Sequence, residues 1–156
     1  MKPNPIYFLL LMLLAGLSFN CHREPINEDF DQSLYECHQK TTWDKSNTEQ
    51  ALLGKWAWKQ TVCPRTTGGK TIDKTSYLGT EILLEKNGKL TELRNGVKIK
   101  EYSWSLDKKD GDLYGLTVNP YLEIVNGRIL ICQTLGQVDF GNSYIDGCDY
   151  RFKKVD

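Results

Sequence analysis

The amino-acid sequence predicts an all-β fold, an antiparallel up-and-down barrel of eight strands entered through one short helix. Three observations carry that expectation. From Lys55 the chain alternates with a period of two, Trp56, Trp58 and Val62 on one face and Lys55, Ala57, Lys59 and Thr61 on the other. Asn-Gly dipeptides at 87–88, 95–96 and 126–127 are each flanked by strand-like segments, and both central residues of a type I′ hairpin turn need positive φ. About eight such segments follow one another between Lys55 and Val155. An open sheet of that size would expose two long edges, which closure removes, so the barrel is favoured and a two-sheet sandwich is the alternative.

Residues 1–20 lie outside the folded domain. Lys2 precedes the apolar run "IYFLLLMLLAGL" and then "SFNC", the pattern of a secretory signal peptide. The run is too short for a bilayer-spanning helix. Cys21, directly after the apolar core, resembles the diacylglyceryl-bearing cysteine of bacterial lipoproteins, although Ser18 and Asn20 stand where a standard lipobox has leucine and a small residue. The alternative is ordinary cleavage after Ser18. Residues 21–45 read as a lipid-anchored tether and extension without sustained period, pinned to the domain by Cys37 and Trp43, and 46–156 as the barrel domain.

Composition excludes some functions. The chain carries 20 basic and 20 acidic residues, and loss of Lys2 with the leader leaves a formal charge of −1. Nucleic-acid binding rests on clustered Lys and Arg, so it is not expected. Beyond Cys21 four cysteines remain, Cys37, Cys63, Cys132 and Cys148, and an even number in an exported chain implies two disulfides. A metal site is disfavoured, because there is no CxxC pair and the histidines are only His22 and His38.

In order along the chain, Ser46 or Asn47 caps the short helix "TEQALL", which Gly54 terminates with a positive φ. The strands expected after Lys55–Val62 are "YLGTEILLEK", "KLTELR", "VKIKEYSWSL", "LYGLTV", "YLEIV", "RILICQT" and "CDYRFKKV", with "LGQVDFGNSYIDG" read as a loop. The alternation slips between Ile99 and Tyr102, which predicts a β-bulge.

The segments "LLGKWAWKQT", "TTGGKTIDKTSYLGTEILLEKNGKL" and "YIDGCDYRFKKV" resemble the lipocalin-like domain lipoproteins of the Bacteroidetes type, calycin-like barrels. The resemblance runs from about Leu52 to the end. It implies a Gly-x-Trp motif at Gly54 and Trp56 that closes one end of the barrel, with Arg151 of the last strand packed over Trp56. It also implies an outer-membrane lipoprotein on the periplasmic or cell-surface side. Strand parity places Cys63 on the outer face, so the expected bridges are Cys37 with Cys63 and Cys132 with Cys148.

No catalytic constellation stands out, and no cofactor is expected. Neither histidine lies in a strand, and Asp110, Asp112, Asp146 and Asp149 sit in turns that favour Asp for backbone reasons. The expected protein is not an enzyme. Trp58, Tyr102, Trp104 and Leu106 are the candidate lining of a cavity for one small hydrophobic ligand, unless such side chains simply fill the barrel. The alternative is a structural or protein-interaction module of the cell envelope, using its outer face or loops against a protein partner.

Overall fold

The computed structural model describes residues 30–64, 70–111 and 113–155. The leader, Cys21 and His22 lie outside these residues. Two helices precede the strands, α1 (Phe30–Gln39) and α2 (Lys45–Leu52). The strands are β1 (Gly54–Pro64), β2 (Lys70–Asp73), β3 (Thr80–Leu84), β4 (Lys89–Arg94), β5 (Val97–Asp110), β6 (Leu113–Asn119), β7 (Gly127–Cys132), β8 (Gln137–Gly141) and β9 (Asp149–Val155). All pairings are antiparallel, β1 through β3 to β9 in chain order, and β9 pairs back onto β1. These eight strands form the closed barrel. β2 is an addition, pairing only with Thr61–Pro64 at the far end of β1.

The entry to the barrel follows from local chemistry. Asp44, rather than Ser46 or Asn47, caps α2, its carboxylate accepting from Asn47 N at 2.7 Å. Leu53 is the C-cap, and Gly54 adopts φ +113°, a conformation open to glycine, before the chain turns into β1. Trp56 Nε1 then donates to the Leu52 carbonyl at 2.7 Å. That bond satisfies an otherwise orphaned helix C-terminal carbonyl while the indole fills the barrel end.

The core is one cluster running the length of the barrel. It joins Ala51 and Leu52 of α2 to Trp56, Ile82, Leu84, Leu90, Leu116, Ile131, Val138, Phe140 and Phe152. Phe140 and Phe152 meet edge to face, 5.7 Å between centroids.

Several expectations are corrected. The segment 22–45 contains a helix, α1, docked on β7. "YLEIV" is not a strand but a 3-10 turn at Glu123–Val125 that drives Ile124 and Val125 into the core. The expected loop contains β8, whose Val138 and Phe140 point inward on a period of two. These two reversals cancel, which is why the count of eight barrel strands stands. The bulge in β5 falls where the alternation slips, opposite Glu92 and Leu93.

A second bulge, between Trp58 and Gln60 of β1, inverts parity beyond Lys59. Thr61 therefore faces inward beside Tyr150, and Cys63 follows it. The bridges are Cys37–Cys132 and Cys63–Cys148, with Cα separations of 5.5 and 4.3 Å, not the expected pairs. With β8 between them, β7 and β9 hold Cys132 and Cys148 at opposite ends of the barrel.

Candidate functional site

The two ends of the barrel differ in kind. α2 covers one; from the other emerge the β1–β3 connection, the β4–β5 turn, the β6–β7 segment and the β8–β9 loop. Beneath these loops lies an aromatic layer. Trp58 meets Tyr77 edge-on at 5.6 Å, and Tyr77 meets Tyr150 edge-on at 5.9 Å. Trp58 Nε1 donates to Thr61 Oγ1 at 3.1 Å, and Tyr150 Oη donates to Glu123 Oε1 at 2.7 Å. Burial first, and then the Glu123 carboxylate, push the Tyr150 phenol well above its ordinary range. Tyr77 is shifted the same way by the same two causes.

The residues expected to line a cavity are packed. Trp58, Tyr102, Trp104 and Leu106 retain 5, 8, 6 and 4 % exposure and belong to the single core cluster. Their polar atoms are engaged within the fold. Trp104 Nε1 donates to the Lys89 carbonyl at 3.0 Å, and Tyr102 Oη donates to Glu92 Oε2 at 2.6 Å. Burial and that carboxylate raise the Tyr102 phenol to about 12.

Trp56 lies buried at the helical end, bonded to the Leu52 carbonyl, and Arg151 does not pack over it. Lys154, the register partner of Trp56, places its ammonium 5.2 Å from the indole centroid. Arg151 lies on the opposite face of β9, buried beside Asp139 with Nε 3.5 Å from Oδ2. Burial lowers its guanidinium to about 10, so it stays cationic at neutral pH.

No family model, curated protein or solved structure matches this chain. The site is therefore defined by its geometry. The two disulfides belong to an oxidising, non-cytoplasmic compartment. Among the described residues no helix is long and apolar enough to cross a membrane. Among those same residues no group of three His, Cys, Asp or Glu side chains is placed to hold a metal ion.

The loop end presents large apolar side chains to solvent among polar ones. Ile72, Leu78, Val97, Ile99, Tyr121, Tyr144 and Ile145 are all exposed, Leu78, Tyr121 and Ile145 at 71, 72 and 64 %. Among the described residues the other exposed large hydrophobic side chains, Tyr35 and Leu135, lie on α1 and the β7–β8 turn. Individual exposed apolar residues are ordinary, but their concentration on three connections and the first residues of β5 at one end is not. The loops are held in place. Asp73 accepts from Thr75 N, Thr75 Oγ1 and Ser76 N, and bonds from Ser76 and Thr75 draw its carboxyl down to about 2. Arg128 covers the Tyr144 ring at 3.5 Å, and Cys63–Cys148 ties β1 to the start of β9.

Tyr77, Glu123 and Tyr150 were not singled out from the sequence. Glu123 and Tyr150 stand 27 residues apart, and no local pattern joins them. The apolar loop residues carried a readable signal, since Leu78, Tyr121 and Ile145 interrupt turn-rich polar sequence.

Proposed function

We propose that this protein is an exported lipoprotein of the lipocalin-like type, anchored through Cys21. In this reading its barrel is a packed, non-enzymatic scaffold that presents the apolar loop end to a protein of the cell envelope. The observation that carries the reading is the pairing of a filled interior with exposed apolar side chains on three connections and the start of β5 at one end. Large hydrophobic side chains gathered on a rigid frame are the usual makings of a contact surface. Cys21→Ser is expected to move the protein from the membrane to the soluble envelope fraction. Photo-crosslinking residues placed at Leu78 or Ile145 in the native envelope should give one discrete adduct, absent when the probe replaces exposed Lys108. Equal adducts at both places, or none, would remove the proposal.

A second reading keeps the small apolar ligand. It is favoured by Tyr77, half-buried over Trp58, and by the Glu123–Tyr150 pair, which supplies converging polar groups at the barrel mouth. Native mass spectrometry separates the two. The scaffold reading expects the bare polypeptide mass, whereas a retained small molecule released on denaturation would establish the ligand.

A further inference from the structure

At the helical end, the chain between α1 and α2 crosses two adjoining depressions in the surface. One, of about 560 Å³, is lined by Tyr35, His38, Gln39, Thr41, Thr42 and Trp43, with Leu113 at its edge. The other, of about 340 Å³, shares Thr41 and Trp43 and adds Asn47, Gln50 and Gln133. Trp43 therefore stands between them, and together they form one groove. Both volumes fall in the range of ordinary ligand sites.

The lining is unusual for this surface. In a chain that is 26 % charged, none of the described lining residues is Asp, Glu, Lys or Arg. His38 adds no charge at neutral pH, because burial lowers the pKa of its imidazole. Its Nδ1 lies 3.1 Å from Ile131 N and 3.2 Å from the Ile131 carbonyl oxygen, accepting from the first or donating to the second according to the tautomer. The groove is also built rigidly. Trp43 stacks on His38 at 5.1 Å and 11°, and Trp43 Nε1 donates to the His38 carbonyl at 2.8 Å. Cys37–Cys132 fastens the same turn of α1 to the end of β7.

This chemistry selects a ligand class. An ionic ligand would find no counter-charge among the lining residues, and a desolvated unpaired charge is costly. A wholly apolar ligand would bury three glutamine amides and two threonine hydroxyls, together with the Asn47 amide, whose Nδ2 donates to the Thr42 carbonyl at 3.4 Å. Side-chain amides both donate and accept, as hydroxyl groups do, and a fixed indole flanked by Tyr35 offers a flat apolar face. A molecule with a ring of hydroxyls and a flat C–H face satisfies all of these at once. We propose that the groove centred on Trp43 binds a neutral oligosaccharide, its sugar rings lying against the indole and its hydroxyls meeting Gln39, Asn47, Gln50 and Gln133.

The inference is independent of the loop-end reading, because the groove lies at the other end of the barrel. The test is calorimetric titration of the purified protein, disulfides intact, with chitotetraose and with cellotetraose. These probes separate an N-acetylated, cell-wall-type glycan from a plain hexose chain. Saturable binding of at least one is expected. Trp43→Ala should weaken it at least about tenfold, as for a central aromatic anchor. The double variant Gln39→Ala, Gln133→Ala alters only exposed side chains, so it should weaken binding several-fold without moving the urea midpoint. Leu78→Ser should leave it unchanged. Absence of binding to both glycans at millimolar concentration, binding that survives the double variant, or tighter binding of tetragalacturonate would overturn the proposal.

Discussion

His38 couples α1 to the barrel wall through one imidazole nitrogen. Both backbone polar groups of Ile131 need a partner, and Nδ1 stands within reach of each, 3.1 Å from N and 3.2 Å from O, in a buried setting. His38→Ala should therefore cost about 1 to 3 kcal/mol, the range for a buried polar group left unpaired, read from urea unfolding. The pH dependence has a definite sign. Burial holds the folded pKa below 6.5, so between the lowered value and 6.5 the unfolded chain binds a proton that the folded chain does not. Stability is retained above about 6.5 and declines as pH falls through that window. His38→Asn, which keeps an acceptor near Nδ1 but does not titrate, should reduce the loss between pH 7 and pH 5.5. Tyr102 makes a separate contribution. Tyr102→Phe removes the bond to Glu92 and should cost about 1 kcal/mol by the same measurement.

Among the elements, β7 carries the tightest backbone constraint. Gly127 opens it with φ +156°, and a Cβ there would come within 2.6 Å of the Gly141 carbonyl oxygen on β8. Backbone cannot yield as a flexible side chain does, so Gly127→Ala should cost about 1 to 3 kcal/mol, seen as a lower thermal midpoint. α1 depends on its covalent tie. Replacing Cys37 and Cys132 by serine should raise amide exchange in α1 well before that of β3 and β4, since the helix buries only Leu34 and His38 among its described side chains. Element by element, legibility in the sequence followed periodicity. β1, β4 and β6 have inward residues in steps of two beside turn signals, and they lie within a few residues of their expected limits. β8 has the same signal in Val138 and Phe140, but five residues within a Gly- and Asp-rich stretch are too few to stand out. α1 buries Leu34 and His38, four residues apart, which is one helical face in an otherwise polar segment. The disulfide pairing differs from the expected one for two reasons, of which the first is β8, inserted between the strands expected to bring Cys132 and Cys148 together. The second is the extra residue at Lys59, which turns Cys63 inward, and an alternating pattern contains no mark of one unpaired residue.

Closure makes the molecule a single cooperative unit. β9 pairs with β1 over most of its length, so the ninth strand completes the wall begun by the first. All the core aromatics share one cluster. Unfolding followed by near-ultraviolet dichroism, which reports Trp56, Trp58 and Trp104, should coincide with loss of strand signal in the far ultraviolet. Separate midpoints would show that the barrel has two independently stable halves. At this scale the fold was legible and the sites were not. Strand count and turn chemistry determine closure, whereas the groove and the apolar end are made by side chains far apart in sequence, such as Trp43 with Gln133.

The order of the bridges has its own consequence. Cys37 joins Cys132 while Cys63 joins Cys148, so the two loops interlock rather than nest. A protease that cuts once anywhere between Cys37 and Cys148 cannot divide the polypeptide, because at least one bridge always spans the cut. A nicked molecule should migrate at full mass on a non-reducing gel and separate into two fragments only when thiol is added. For a protein in a compartment with secreted proteases, a single cleavage is survivable damage rather than loss of the chain.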